Sequence, residues 1–192
     1  MTRPAQNPVL SLRAKRVSCL NATLSPTHHP VGVRRESPDR NQIPTMQISS
    51  TAFENGTEIP EKFTFDGENA RPPLRISGVP DQARSLVLFM EDLDSPIGPF
   101  THWVVWNLPP QTEHLGEDPL PREAETGING FGEVRYSGPC PPSGKHRYRF
   151  RLLALDTRLE ATSPDRKDQI ESAMDGNVLS EATLTGLYTA RP

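Results

Sequence analysis

Two stretches of the chain are apolar at nearly every position, and a third alternates. Ser85–Glu91 (SLVLFME) and His102–Leu108 (HWVVWNL) are near-continuous apolar runs of strand length, the pattern of strands buried on both faces. His146–Asp156 (HRYRFRLLALD) opens with strict alternation: Tyr148, Phe150 and Leu152 point one way, Arg147, Arg149 and Arg151 the other. Met46–Phe53 is a shorter strand candidate, followed by the turn signal Asn55-Gly56. Asn177–Tyr188 alternates loosely and is read as a final strand, or a short strand plus loop. One helix is predicted, with Ser163 as N-cap, Pro164 at the first helical position and Gly176 as the stop. Ile170 and Met174, four apart, give it a thin apolar stripe. Spacers rich in Pro and Gly join these pieces. The pattern predicts a β-dominated single domain over residues 46–192 with one or two minor helices.

Charge sets the N-terminus apart. Residues 1–45 carry seven Lys/Arg against two acids, a balance of +5, and six prolines with almost no apolar periodicity. The other 14 basic and 22 acidic residues leave the rest of the chain at −8. Such an opening segment cannot bury enough apolar surface to offset its ordering entropy and is expected to be disordered. It lacks the apolar core of a secretory signal, fits an organelle transit peptide loosely, and is best read as preceding the true start at Met46. A cytoplasmic location is expected. No apolar run approaches the roughly 18 residues of a membrane-spanning helix. Two cysteines, Cys19 and Cys140, make neither a disulfide framework nor a four-cysteine zinc site. The slightly acidic total, −3, does not suit nucleic-acid binding.

Two segments carry chemistry. Glu91-Asp92-Leu93-Asp94-Ser95-Pro96 ends a buried-type strand, and Thr101-His102-Trp103 opens the next. Asp92 and Asp94 are two apart and share one side of an extended chain; an alternative is a turn in which Asp caps backbone N–H groups. The second segment is Gly138-Pro139-Cys140-Pro141-Pro142-Ser143-Gly144-Lys145-His146-Arg147-Tyr148. Its three prolines stiffen the loop and leave few backbone donors to aim at a ligand. His146 and Tyr148 lie i and i+2 on a strand, so imidazole and phenol share a face, and with a preorganised N–H they suit a phosphate or carboxylate oxygen. Trp103 and Trp106 sit in an apolar run and are expected in the core.

The pairing of Asp-x-Asp-Ser-Pro…His-Trp with Gly-Pro-x-Pro-Pro-x-Gly-x-His-Arg-Tyr resembles the phosphatidylethanolamine-binding protein (PEBP) family, closest to its bacterial and archaeal Raf kinase inhibitor-like (YbhB/YbcL) branch. Phe63–Asn69, Pro72-Pro73-Leu74, Gly78-Val79-Pro80, Trp103–Pro109 and Ala154–Thr157 extend the likeness over roughly Met46 to Tyr188. The resemblance implies a large central β-sheet with a smaller sheet on one side and helices on the other. It also implies a small anion pocket built from Asp92, Asp94, His102, Pro142, His146, Tyr148 and the backbone of Cys140. There His102 and His146 would donate to phosphate oxygens, the Tyr148 hydroxyl would add a contact, Asp92 would orient a histidine and Asp94 would hold the turn. The implied ligand is phosphate, phosphorylethanolamine or a phosphorylated group, bound without metal or cofactor. The implied role is regulatory or inhibitory, with a protein target as a further partner.

Two positions depart from the family pattern. Leu93 replaces a proline, and Asn177 stands where many microbial relatives carry His. The competing reading is a hydrolase that uses the His, Asp and Tyr of the same pocket. It lacks a Gly-x-Ser-x-Gly elbow or other nucleophile–base spacing, and Cys140 would be reactive only with a depressed pKa.

Overall fold

The computed structural model describes residues 45–161 and 164–191. The expectations for residues 1–44 and for Ser163 lie outside these residues.

Among the described residues, eight strands form two antiparallel sheets. Strands β1 (Gln47–Ser50), β2 (Leu74–Ser77) and β5 (His114–Leu115) make a three-stranded sheet in the order β1-β2-β5. Strands β3 (Ser85–Asp92), β4 (Phe100–Leu108), β6 (Glu125–Thr126), β7 (Lys145–Leu155) and β8 (Val178–Thr189) make the large sheet, ordered β6-β4-β3-β7-β8. A single α-helix, α1 (Lys167–Met174), is present among the described residues.

Side-chain alternation divides the core into two layers. Leu86, Leu88 and Met90 of β3, Trp103 and Val105 of β4, and Tyr148, Phe150 and Leu152 of β7 pack in one cluster with Ile48 and Leu74 of the small sheet. Val87, Phe89, Val104, Trp106 and Leu153 face the other way, against Ile170 and Met174 of α1. The large sheet is therefore the middle layer, between the small sheet and the helix, as the resemblance implies. Strand β3, central in the large sheet, is buried at all eight positions, which explains its continuous apolar run.

The helix starts later than its sequence signals suggest. Ile128 donates to the Asp165 carbonyl, and Ile128 and Arg166 form a parallel bridge. That bridge keeps the chain extended as far as Arg166, whose backbone N–H is received by Gln169. The other end is as expected: Gly176 sits at φ +78°, where a Cβ would strain. Strands β2, β5 and β6 are absent from the sequence reading. They have two to four residues each and lie among prolines, too short for a periodic signal.

Candidate functional site

The site forms where β3 ends, β4 begins and β7 begins. Asp92 is the last residue of β3, in register with Tyr148 of β7, and His146 lies two residues earlier on the same face as Tyr148. His102 joins them through a bulge. Between the pairs Met90–Trp103 and Glu91–Thr101, β3 advances one residue and β4 two, so His102 is the extra residue. A bulge can re-aim a side chain beside a site. His102 thereby turns towards the Tyr148 ring, edge to face at 5.3 Å, although Trp103 next to it enters the core.

Each histidine is held by its Nδ1. His146 Nδ1 lies 2.7 Å from Asp92 Oδ2. His102 Nδ1 lies 2.8 Å from the Ser137 carbonyl oxygen, and Ser137 donates its own N–H to the His102 carbonyl. Both rings are buried. Burial holds His102 below the ordinary imidazole range, although the Ser137 and Gly138 carbonyls and the Asp92 carboxylate oppose that shift. Asp92 thus holds the His146 ring at Nδ1. A neutral ring has one hydrogen, so a ring that places it on Nδ1 presents Nε2 as an acceptor, and only a protonated ring donates from both nitrogens. The Tyr148 hydroxyl is enclosed and has no partner at hydrogen-bond geometry among the described residues, although the Cys140 N–H and the Asp92 carboxylate lie against it. Burial first, and then Asp92, hold it well above the usual phenol range, so it is a neutral donor.

The remaining residues fall into place less uniformly. Asp94 does not share a face with Asp92. The chain bends after β3, the Asp94 N–H returns to Asp92 Oδ1, and the Asp94 carboxylate takes three hydrogen bonds from Arg147. The Arg147 side chain holds the Asp94 pKa down at about 2. The contribution of this pair to stability is present above the carboxylate's ordinary 3.8 and is lost as pH falls through about 2. Asp94→Asn is expected to cost less than about 1 kcal/mol at neutral pH in urea titrations, because the pair is largely exposed, and to flatten stability over that acid window.

Cys140 is half-buried, and burial followed by the Asp66 and Asp92 carboxylates pushes its thiol up, away from nucleophilic use. Pro142 is exposed, whereas Pro139 and Pro141 are buried. Asn177 precedes β8 next to the Leu155 end of β7. The 11 residues of β7 separate it from His146 by about 30 Å, so it is no part of this site.

Several contributors escape the sequence reading. Asn129, 1% exposed, donates to the Arg135 carbonyl and Ser137 Oγ and accepts from the N–H groups of Phe131 and Glu133. It thereby folds the 129–137 loop, which lays the Phe131 ring 5.5 Å from His102 and 4.8 Å from Phe100. Gly130 permits this approach, since a Cβ there would meet the Phe100 ring at 2.4 Å. Its dipeptide, Asn129-Gly130, is a turn signal visible in the sequence. Asp66 accepts from the Tyr188 hydroxyl at 2.9 Å, and Tyr188 is the register partner of His146. Gly138 donates to Asn69 Oδ1, and its Cα passes so close to Phe63 and Thr64 that a side chain has no room. No cluster of three or more His, Cys, Asp or Glu suited to a metal occurs among the described residues.

The sequence pattern of the family described as phosphatidylethanolamine-binding protein matches residues 49–189. The chain belongs to that family. Among PEBP relatives, a UPF0098 protein of Methanothermobacter thermautotrophicus is 46% identical over 148 residues, which cover 74% of this chain and 98% of that protein. A UPF0098 protein of Aquifex aeolicus is 45% identical over 152 residues, covering 74% and 88%. The solved structure of a PEBP homologue from Chlamydia trachomatis superposes with a TM-score of 0.74 at 40% identity, over 77% of this chain and 99% of the other. Escherichia coli YbcL, a new member of the mammalian PEBP family, gives 0.71 at 27% identity, over 76% and 99%. No helix of the described residues is long and apolar enough to cross a membrane.

Proposed function

We propose that this PEBP-family chain binds a small phosphoryl-bearing anion and acts as a regulatory or inhibitor-type binding module, without turnover. The observation that carries this reading is the convergence of two buried histidines, each held at Nδ1 and with no partner at Nε2 among the described residues, on the enclosed hydroxyl of Tyr148. Buried polar groups are ordinarily satisfied, so such a trio is a site waiting for a polar ligand. The Pro139–Pro142 loop supplies the Cys140 N–H, which lies against the Tyr148 hydroxyl oxygen and for which a ligand oxygen would compete. The raised thiol pKa and the absence of a base-activated nucleophile argue against hydrolysis.

An NMR titration with inorganic phosphate and then phosphorylethanolamine tests it. Shifts are expected at Cys140, His102, His146 and Tyr148, and loss of those shifts in His146→Ala. No shift at millimolar ligand would refute the phosphoryl reading. Product formation from a phosphate ester, abolished by the same substitution, would replace it with catalysis.

A further inference from the structure

The small sheet carries chemistry of its own, away from the strand-end site. Ile48, Leu74, Ile76 and Leu115 face inwards, into the apolar cluster that also holds Tyr148 and Phe150. Alternation turns Ser49, Arg75 and His114 outwards. The register sets Ser49 opposite Arg75 and Arg75 opposite His114, one row across β1, β2 and β5. Arg75 and His114 are exposed, and neither side chain has a hydrogen-bond or ion-pair partner among the described residues. Arg147, Arg149 and Arg151 of β7 differ, for each holds a carboxylate. The Arg75 guanidinium keeps every N–H of its fork available.

Two cavities meet at this pair. One, of about 640 Å³, is walled by Phe63, Pro73, Leu74, Leu115 and Pro121 together with Arg75 and His114. The other, of about 550 Å³, shares Arg75 and His114 and adds the hydroxyl-bearing Ser49, Ser77 and Thr112. The first has the size of a small-molecule site and the usual wall of one, apolar with a few polar groups that fix orientation. Phe63, Leu74 and Leu115 belong to the buried core, so an apolar ligand there would extend the core rather than lie on a wet surface.

The polar groups decide what enters. A guanidinium only donates, and its planar fork matches the two oxygens of a carboxylate. The His114 ring adds an N–H. The same wall also holds Glu117, which Lys62 binds at 2.5 Å, and Asp118, whose carboxylate has no ion-pair partner among the described residues. A second negative charge on the ligand would meet Asp118, so one carboxylate suits the cavity and two do not. We infer that this cavity is a second ligand site, which takes a small apolar monocarboxylic acid. Its carboxylate lies on Arg75, with His114 as a further donor, and its aromatic or aliphatic body lies against Phe63, Leu74 and Leu115. The apolar cluster containing Leu74, Ile76 and Tyr148 separates it from the strand-end site, so this site does not depend on what that one binds.

NMR titration of the full chain with phenylacetate, phenylethanol and acetate tests the inference. Phenylacetate has both the ring and the charge, and each of the others has one of them. It is expected to bind at least about tenfold more tightly than either, the effect of charge-assisted hydrogen bonds added to apolar contact. The shifts should fall on Arg75, His114 and Leu115 and leave His146 and Tyr148 in place. Arg75→Gln changes an exposed side chain without a partner, so the melting temperature should hold while phenylacetate affinity falls at least about tenfold. Phenylethanol binding as tightly as phenylacetate would overturn the inference. So would full phenylacetate affinity in Arg75→Gln, or shifts confined to the strand-end residues. No shift at millimolar phenylacetate would refute the site, and it would leave the phosphoryl-binding reading of the other site untouched.

Discussion

Replacing Asn129 with alanine is expected to lower the melting temperature by roughly 6–12 °C, the largest single effect anticipated outside the apolar core. The side chain uses both amide hydrogens and both oxygen lone pairs, and the residue is 1% exposed. Each hydrogen bond contributes about 0.5–1.5 kcal/mol net, and partners left unsatisfied add to the loss, so a total near 3 kcal/mol follows. In a domain of this size each kcal/mol moves the midpoint by about 2–4 °C. Thermal unfolding followed by circular dichroism reads the result, and a shift below about 2 °C would mean that the 129–137 loop holds itself. The same substitution should disturb the His102 ring signals, because Ser137 is both a partner of Asn129 and the carbonyl on His102 Nδ1.

Phosphorylethanolamine should stabilise the protein far more at pH 6 than at pH 8, if binding takes the monoester as its monoanion. A phosphomonoester loses its last proton near a pKa of about 6, so the dissociation constant then rises up to tenfold per pH unit above it. Two units then correspond to a factor approaching 100, or about 2.7 kcal/mol of ligand-linked stability at saturating concentrations. The apo protein should move in the opposite direction. His102 has a depressed pKa, so below its unfolded value of about 6.5 the unfolded chain binds the extra proton and stability falls with falling pH. Melting curves with and without phosphorylethanolamine at pH 6, 7 and 8 should therefore converge at high pH and separate at low pH. A ligand-induced shift of the same size throughout would exclude proton-linked binding.

Much of this organisation is legible in the sequence, and the illegible part has definite causes. β3, β4 and β7 are long and buried, so side-chain alternation and apolar runs declare them, and Asp92, His146 and Tyr148 follow from their ends. The role of Asp94 is not legible in the same way. An i, i+2 pair shares a face only while the strand continues, and β3 stops at Asp92. The route by which His102 reaches the site depends on a bulge, and a bulge is a property of two strands in register that one strand's sequence does not declare. Asn129 and Phe131 act from a loop whose order comes from side-chain-to-backbone hydrogen bonds, which leave no periodic trace. The start of α1 was set by a contact with Ile128 nearly forty residues earlier in the chain, which local capping signals do not contain.

Consecutive residues of β3 serve opposite layers. Asp92 holds His146, while Glu91, 2% exposed, binds Arg149 at 2.9 Å and Lys167 at the start of α1 at 3.2 Å. A one-residue slip of a strand exchanges its faces. Deleting a single residue between Leu86 and Met90 would move Glu91 into the place of Met90, in the apolar layer opposite Phe150, and Asp92 into that of Glu91, facing two cations it is too short to reach. Misthreaded chains would thus lose helix anchoring and the histidine partner together, so a molecule able to hold its ligand has already been proofread for alignment of its central strand.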